Sequence, residues 1–494
     1  MAVILPSLIY EALTLSLDLV ETVLLLFNLS AVIAIVFVER RNPTVALAWV
    51  AVLLLFPYAG FVLYLLFGRH IYSERRFRLK GRDDQRVRSR VRRQVRALDE
   101  RRIAFTDPAA ERWRPLMRLL LAGDRAVIWT QSRVEYEDRG EAHFTAMLEA
   151  IRSARHYIHM EYYIIRNDEL GRRFIDALAE RARAGVAVRL VYDAVGCAGV
   201  GRRFFRPITE AGGRAVPFFP GILGLVNFRI NFRNHRKILV VDGDVGFVGG
   251  YNIGVEYLGE GPLGLWRDAH LRLEGDAVQS LQARFLMDWN YAAHDSLGFV
   301  DGFFPEPQVA AGTVACQVAS SGPDTPKRTI REGFLKMIAS ATRSIEITTP
   351  YFVPDDTVLD ALRIAASSGV HVRIMIPSKP DHMFVYWATL SYIGFLLDAG
   401  VRAYTYDRGF LHAKTCVVDG EAGTVGTANW DVRSFKLNFE TNAFIYDRKI
   451  CEGLCHAFQR DLEYCTELTP ERYEARNHIV RIKESISRLL TPLL

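Results

Sequence analysis

The chain has 494 residues, half of them apolar and 24% charged, with a formal net charge of +6 and six cysteines. That length accommodates two to four domains, and the composition excludes a disordered chain, a collagen-like one and a small disulfide scaffold. The charge is uneven: residues 69–102 carry 14 Lys/Arg against five Asp/Glu, whereas residues 103–494 are close to neutral, which argues against a dedicated nucleic-acid binder with cations spread over its working surface.

Two apolar runs open the chain, residues 19–38 and 44–67. Each reaches the roughly 20 residues that a membrane-spanning helix needs. The first contains Glu21 and Asn28, costly in hydrocarbon unless at an end or against a partner helix; the second contains Pro57, tolerable as a kink. With only residues 39–43 between them, the runs are expected to form a transmembrane helical hairpin. Nothing before the first run has the positive charge of a cleavable signal peptide. The basic stretch after the second run outweighs Arg40 and Arg41 in the connector, so the positive-inside rule puts the bulk of the chain in the cytoplasm of a bacterial inner-membrane, multi-pass protein. Two spans then return the N-terminus to that same side. Within the basic stretch, Val87, Val91, Val95 and Leu98 lie at helical spacing among arginines. The pattern fits an amphipathic helix on an anionic membrane surface or a solvated connector helix.

The rest of the chain repeats itself. Residues 144–193 and 334–376 each read as a helix ending in Ser-Ala, a β-rich run, an amphipathic helix, and a Gly-Val turn into another strand. Strands alternating with helices indicate an α/β fold in two halves. The expected division is 1–68 for the tail and hairpin, 69–110 for the basic juxtamembrane segment, 111–300 for the first half, 301–323 for a Pro/Gly/Ser-containing linker, and 324–494 for the second half with a C-terminal helix. The cysteines Cys197, Cys316, Cys416, Cys451, Cys455 and Cys465 form no C-x-x-C pair and complete no zinc set. They are expected to be reduced.

Each half carries the same constellation. His235, Lys237 and Asp242 are followed by Asn252; His412, Lys414 and Asp419 are followed by Asn429, with identical spacings. One His-x-Lys-x4-Asp is a weak signal, but two copies in homologous halves with the same Asn offset are a strong one. Residues two apart in a strand share a face, so each His and Lys enter one pocket. The residue types suit transfer at a phosphodiester. One imidazole can attack phosphorus and hold the phosphoryl group; a second can protonate the leaving alkoxide and then deprotonate the acceptor. Lysines and amides can stabilise the phosphoryl oxygens without a metal or cofactor.

These paired motifs resemble the phospholipase D superfamily, whose signature is the double HKD motif. The residues 41–69, Arg233 to Lys237, Trp266-Arg267-Asp268, 426–434 (GTANWDVRS), Asn438-Phe439-Glu440 and the ending Arg488 to Leu494 resemble bacterial cardiolipin synthases within it. The resemblance implies two phospholipase D-type α/β sandwich halves related by a pseudo-twofold axis around one site. It implies transfer of a phosphatidyl group between two phosphatidylglycerol molecules through a phosphatidyl-histidine. The candidate catalytic set is His235, Lys237, Asp242, His412, Lys414 and Asp419, with His235 favoured as nucleophile and the aspartates in a supporting role. Asn252, Asn429, Thr427, Asp268 and Glu440 are candidate phosphate-binding or supporting residues. Glu440, 28 residues after His412, matches a carboxylate that orients a motif histidine; at that offset the first half has Leu263, and Asp268, after the Gly-rich residues 259–264, is its counterpart. A membrane-bound phospholipase D using water and a nuclease of the same superfamily are the alternatives. The apolar residues 221–228 and 383–397 are candidates for acyl or bilayer contact, or for plain core.

Overall fold

The computed structural model of the chain describes residues 21–38, 43–64, 85–220, 231–298, 301–305, 311–325 and 327–491. Glu21–Val38 is one apolar helix of 18 residues, about 27 Å long at 1.5 Å per residue and so close to the thickness of a hydrocarbon core.

Over its described residues, 43–64, the second apolar run is not one continuous helix. It breaks at Phe56 (φ −131°, ψ 69°) into Pro43–Leu55 and Pro57–Leu63, because the Pro57 ring keeps the residue before it out of helical geometry. In a straight helix Val52 and Gly60 would be about 12 Å apart. Here a Cβ on Gly60 would stand 2.5 Å from the Val52 carbonyl oxygen, and the Trp49 and Tyr64 rings meet at 5.6 Å. The short second piece therefore doubles back on the first, and glycine is required at the contact. The turn lies beside the first helix: Asn28 Nδ2 donates to the Pro57 carbonyl at 3.0 Å, and Phe27 meets Phe61 at 5.9 Å. Asn28 is thus buried against a partner rather than exposed to lipid.

Of the basic stretch, residues 69–84 lie outside the described residues, as does the Val87 side chain. Gln85–Asp99 is a helix, but its apolar edge does not face lipid, which corrects the interfacial reading. Val91, Val95 and Leu98 pack onto the cores of the α/β halves, and Gln94 exchanges two hydrogen bonds with the Ile128 backbone, at 2.7 and 2.8 Å. Arg92, Arg93 and Arg96 are left on the outside.

The two halves share one continuous sheet. Strands Trp129–Glu137 and Val314–Ser321 pair antiparallel at its centre. Moving outwards, the first half runs through His270–Gly275, Val245–Gly249, Lys237–Val241, Tyr157–Tyr162, Ala187–Asp193 and Arg214–Phe218. The second half runs through Asn438–Ile445, Ala422–Gly426, Thr415–Val418, Ser344–Thr348, His371–Pro377 and Arg402–Tyr406, with Cys465–Leu468 added at its edge. The order is the same on both sides of the central pair, as a pseudo-twofold axis there requires. Val314–Ser321 falls inside the stretch expected to be a linker, so the second half begins earlier than its composition suggested. Polar residues of this strand are buried, Gln317 among them, which is why it does not read as an apolar run.

Each motif strand is covered on both faces, so it reads as a continuous apolar run rather than an alternating one. In Lys237–Val241, Leu239 and Val241 join the core under helices Gly140–Ser153 and Glu169–Arg183. Ile238 and Val240 join the core on the other face, with Val278 and Leu281 of helix Val278–Ala292. Cys416 and Val418 face one core and Val417 the other in the same way.

Candidate active site

The backbone crosses between halves immediately before each motif histidine. Arg233 and Asn234 pair in parallel with Asn438 and Phe439, and Phe410 and Leu411 pair in parallel with Trp266 and Arg267. One residue further along each pairing, His235 meets Glu440 and His412 meets Asp268. His235 N donates to the Phe439 carbonyl at 3.0 Å, and His412 N to the Arg267 carbonyl at 2.7 Å. His235 Nδ1 lies 2.9 Å from Glu440 Oε2, and His412 Nδ1 lies 2.5 Å from Asp268 Oδ2. Each histidine is therefore held by the carboxylate of the opposite half. The strand registers give the two acids equivalent places: Gly249 pairs with His270 and Gly426 with Asn442, and Asp268 and Glu440 each stand two residues before those partners.

The two carboxylates differ in length and so do their surroundings. Glu440 accepts from Thr427 Oγ1 at 2.5 Å, Ser434 Oγ at 2.9 Å and Asn438 Nδ2 at 3.2 Å. The position matching Thr427 is Gly250, where a Cβ would meet Asp268 Oδ1 at 2.0 Å. The shorter acid thus occupies the space that a side chain fills in the other half. Lys237 Nζ donates to the His235 carbonyl at 2.8 Å, and Lys414 Nζ lies 2.9 Å from His412 Nδ1. Asn252 Nδ2 donates to the Tyr257 hydroxyl at 3.1 Å, which lies 3.3 Å from His412 Nδ1. Asn252 and Asn429 are buried, and the Oδ1 of each lacks a hydrogen-bond partner.

Asp242 and Asp419, expected in a supporting role within the catalytic set, bind backbone amides rather than the reacting groups. Asp242 accepts from the amides of Arg155, His156 and Tyr157 at 2.7–2.8 Å. Asp419 accepts from the amides of Thr342, Arg343 and Ser344 at 2.7–2.9 Å. Both have positive φ, 53° and 56°. They fasten the turn that follows each motif strand to the start of the neighbouring strand.

Tyr163, which the sequence did not single out, and Trp266 and Arg236, to which it gave no role, complete the pocket. The Tyr163 ring stands edge-on to His235 at 4.8 Å, and Trp266 lies against His412 at 5.2 Å. Arg236 is fully buried; it pairs with Asp288 at 2.6 Å and donates to Thr441 Oγ1 at 3.1 Å, tying the first motif to the strand that carries Glu440. The only signal for Arg236 was its cation within the first motif where the second has Ala413. Residues 221–228 lie outside the described residues. Met383–Leu397 is a helix with Ala388, Ile393 and Leu396 in the core and Met383, Phe384 and Phe395 exposed.

The electrostatics favour an anion. Burial pushes both histidines down to about 4, Glu440 opposing it at His235, and Lys414 adding to it at His412 while Asp268 opposes. Burial also lowers Lys237 to about 7 and Lys414 to about 8. Burial would raise the two acids, but Lys414 and His412 hold Asp268 below the usual carboxylate range, and His235 and Lys237 do the same for Glu440. Each histidine also feels the lysine of the other half, so the four groups form one site. Among the described residues, no three His, Cys, Asp or Glu side chains gather as a metal-ion set.

Residues 147–289 and 334–462 match the family described as "Cardiolipin synthase, PLD-like domain", and residues 26–69 match the phospholipase D-nuclease N-terminal family. The chain is 46% identical over 471 residues to the major cardiolipin synthase of Bacillus subtilis, covering 95% of this chain and 98% of that one. It is also 46% identical to the cardiolipin synthase of Oceanobacillus iheyensis, over 94% of this chain and 97% of the other. The fold is similar to that of phosphatidylserine synthase from Haemophilus influenzae, with a TM-score of 0.58 at 13% identity, covering 77% of this chain and 100% of that one. With both motifs in one pocket and near full-length likeness to these relatives, the chain belongs to the cardiolipin synthase family of the phospholipase D superfamily.

Proposed function

We propose that the protein is a membrane phosphatidyltransferase that joins two phosphatidylglycerol molecules into cardiolipin and releases glycerol. The observation that carries this reading is the crosswise pairing of two neutral-leaning histidines with carboxylates, in a family whose relatives carry that name. His235 Nδ1–H donates to the Glu440 carboxylate, which fixes the tautomer and leaves the Nε2 lone pair free to attack phosphorus. The P–O bond to the glycerol headgroup breaks as the N–P bond forms, and His412 gives its proton to the leaving glycerol oxygen. The hydroxyl of a second phosphatidylglycerol then returns a proton to His412 and attacks the phosphatidyl-histidine, restoring His235. Lys237 and Lys414, with the Asn252 and Asn429 amides, hold the phosphoryl oxygens while charge redistributes.

The catalytic halves lie on the cytoplasmic side in this reading. The doubled-back second run supports a re-entrant piece rather than a second crossing, so the connector with Arg40 and Arg41 and the basic stretch share the cytoplasmic face. Residues 1–20 contain no Lys or Arg and pass to the opposite face, as the positive-inside rule prefers.

The test is purified protein with phosphatidylglycerol labelled in its headgroup. Cardiolipin and free labelled glycerol are expected, with turnover reduced by roughly 10³-fold or more in His235→Ala and in His412→Ala. Phosphatidic acid as the sole lipid product would replace this reading by hydrolysis.

A further inference from the structure

The C-terminal helix His478–Leu490 is turned with its polar side inward. Glu484 and Ser487 are buried. Glu484 pairs with Arg476 at 2.9 Å and accepts from the Tyr473 hydroxyl at 3.4 Å. Just past the helix, Thr491 lies 3.3 Å from the Tyr392 hydroxyl. The opposite side is apolar and uncovered: Ile479, Ile482, Ile486 and Leu489 recur at three- and four-residue spacing and are 50–73% exposed. A helix in a soluble protein carries the reverse arrangement.

This stripe is not isolated. The helix packs against Met383–Leu397, whose Phe384 and Phe395 are exposed as well. Lys483 and Arg488 straddle the junction, over the Trp387 ring at 5.1 Å and the Phe395 ring at 5.1 Å. Arg481 is exposed beside them. At its other end, Met383–Leu397 begins next to the active site: Asp381, two residues before it, accepts from the Tyr351 hydroxyl, and its charge acts on Lys414. Exposed apolar side chains thus stand at both ends of Met383–Leu397, one end beside the reacting groups, with the C-terminal helix and its cations packed along it.

We infer that helix His478–Leu490 is an interfacial helix that seats the catalytic body on an anionic bilayer, with the apolar side chains below the headgroups and Arg481, Lys483 and Arg488 among the lipid phosphates. The occupant is lipid rather than protein because the patch is cationic at its edges, continues to a site for a lipid substrate, and belongs to a chain already tethered by an apolar helix. It rests on the lipid-transfer reading for one of these three grounds and for the last of its assays.

The experiment places an environment-sensitive fluorophore on Ile486→Cys, with Cys455 and Cys465 replaced by Ser, in full-length protein reconstituted into vesicles. With phosphatidylglycerol present, the emission is expected to shift to the blue and to be quenched by lipid-borne bromine. An emission characteristic of water in both anionic and zwitterionic vesicles overturns the proposal. This readout does not depend on any reaction. In parallel, Ile482→Glu with Leu489→Glu should leave the protein in the membrane and cut turnover in vesicles about tenfold, with turnover in detergent micelles unchanged. Equal loss in vesicles and micelles, or no loss in vesicles, counts against an interfacial role.

Discussion

The proton on the second histidine is the scarce reagent of this site. Both imidazoles lean neutral at pH 7, because burial and neighbouring lysines oppose a further positive charge. A bound phosphodiester changes that balance, since its negative charge favours protonation of the nearest imidazole. Binding of an anion is therefore coupled to proton uptake, and it also needs charged lysines. With Lys237 lowered to about 7 and Lys414 to about 8, positive charge leaves the pocket as the pH rises through that range. Inhibition by orthovanadate should accordingly weaken from pH 6.5 to pH 9, by up to about tenfold per unit for each linked proton. A flat inhibition constant over that range would mean that neither lysine titrates where burial puts it.

At the scale of elements, the basic helix and the C-terminal helix illustrate what a pattern can and cannot tell. The spacing of Val91, Val95 and Leu98 identifies one apolar edge of a helix correctly but says nothing about what covers it; here it is the protein core. The motif strands were legible because burial on both faces makes them uniformly apolar, and both histidines and lysines stand out against that background. The partnership of Glu440 with His235 was not legible, since an offset along the chain names a carboxylate without naming its half. The break at Phe56 was hidden for another reason: a proline in an apolar run is equally compatible with a gentle kink, and only the Val52–Gly60 contact distinguishes a full turn. The exposed arginines of the basic helix keep an electrostatic task even with its apolar edge occupied. Replacing Arg92, Arg93 and Arg96 by Gln should leave the protein membrane-bound and lower turnover in vesicles of mixed lipid by several-fold at low salt, about 1 kcal/mol being available per cation near an anionic surface. The difference should shrink as salt screens it. Equal turnover at low salt would reduce the helix to a connector.

For the whole molecule, the proposed re-entrant arrangement of the second run predicts which face each segment meets. In intact spheroplasts, a membrane-impermeant maleimide should label Ser7→Cys but reach Arg41→Cys only after permeabilisation. The native cysteines lie in the catalytic halves, which the proposed orientation puts on the cytoplasmic side, and should stay silent in intact spheroplasts. The reverse pattern would restore two full crossings. The turn at Pro57 also lowers a polar cost of the first helix: Asn28 Nδ2 donates to the Pro57 carbonyl, so the donor side of the mid-helix amide is paired within the protein.

The exchange of carboxylates also has a consequence in time. During synthesis the first half leaves the ribosome with His235 complete but with nothing to orient it, because Glu440 lies more than two hundred residues downstream. A nascent chain already inserted in the bilayer is thereby surrounded by its substrate while it cannot yet act on it. Competence arrives only when strand Asn438–Ile445 has been made and has paired into the sheet, so a product truncated or stalled before it would leave the membrane's lipids untouched.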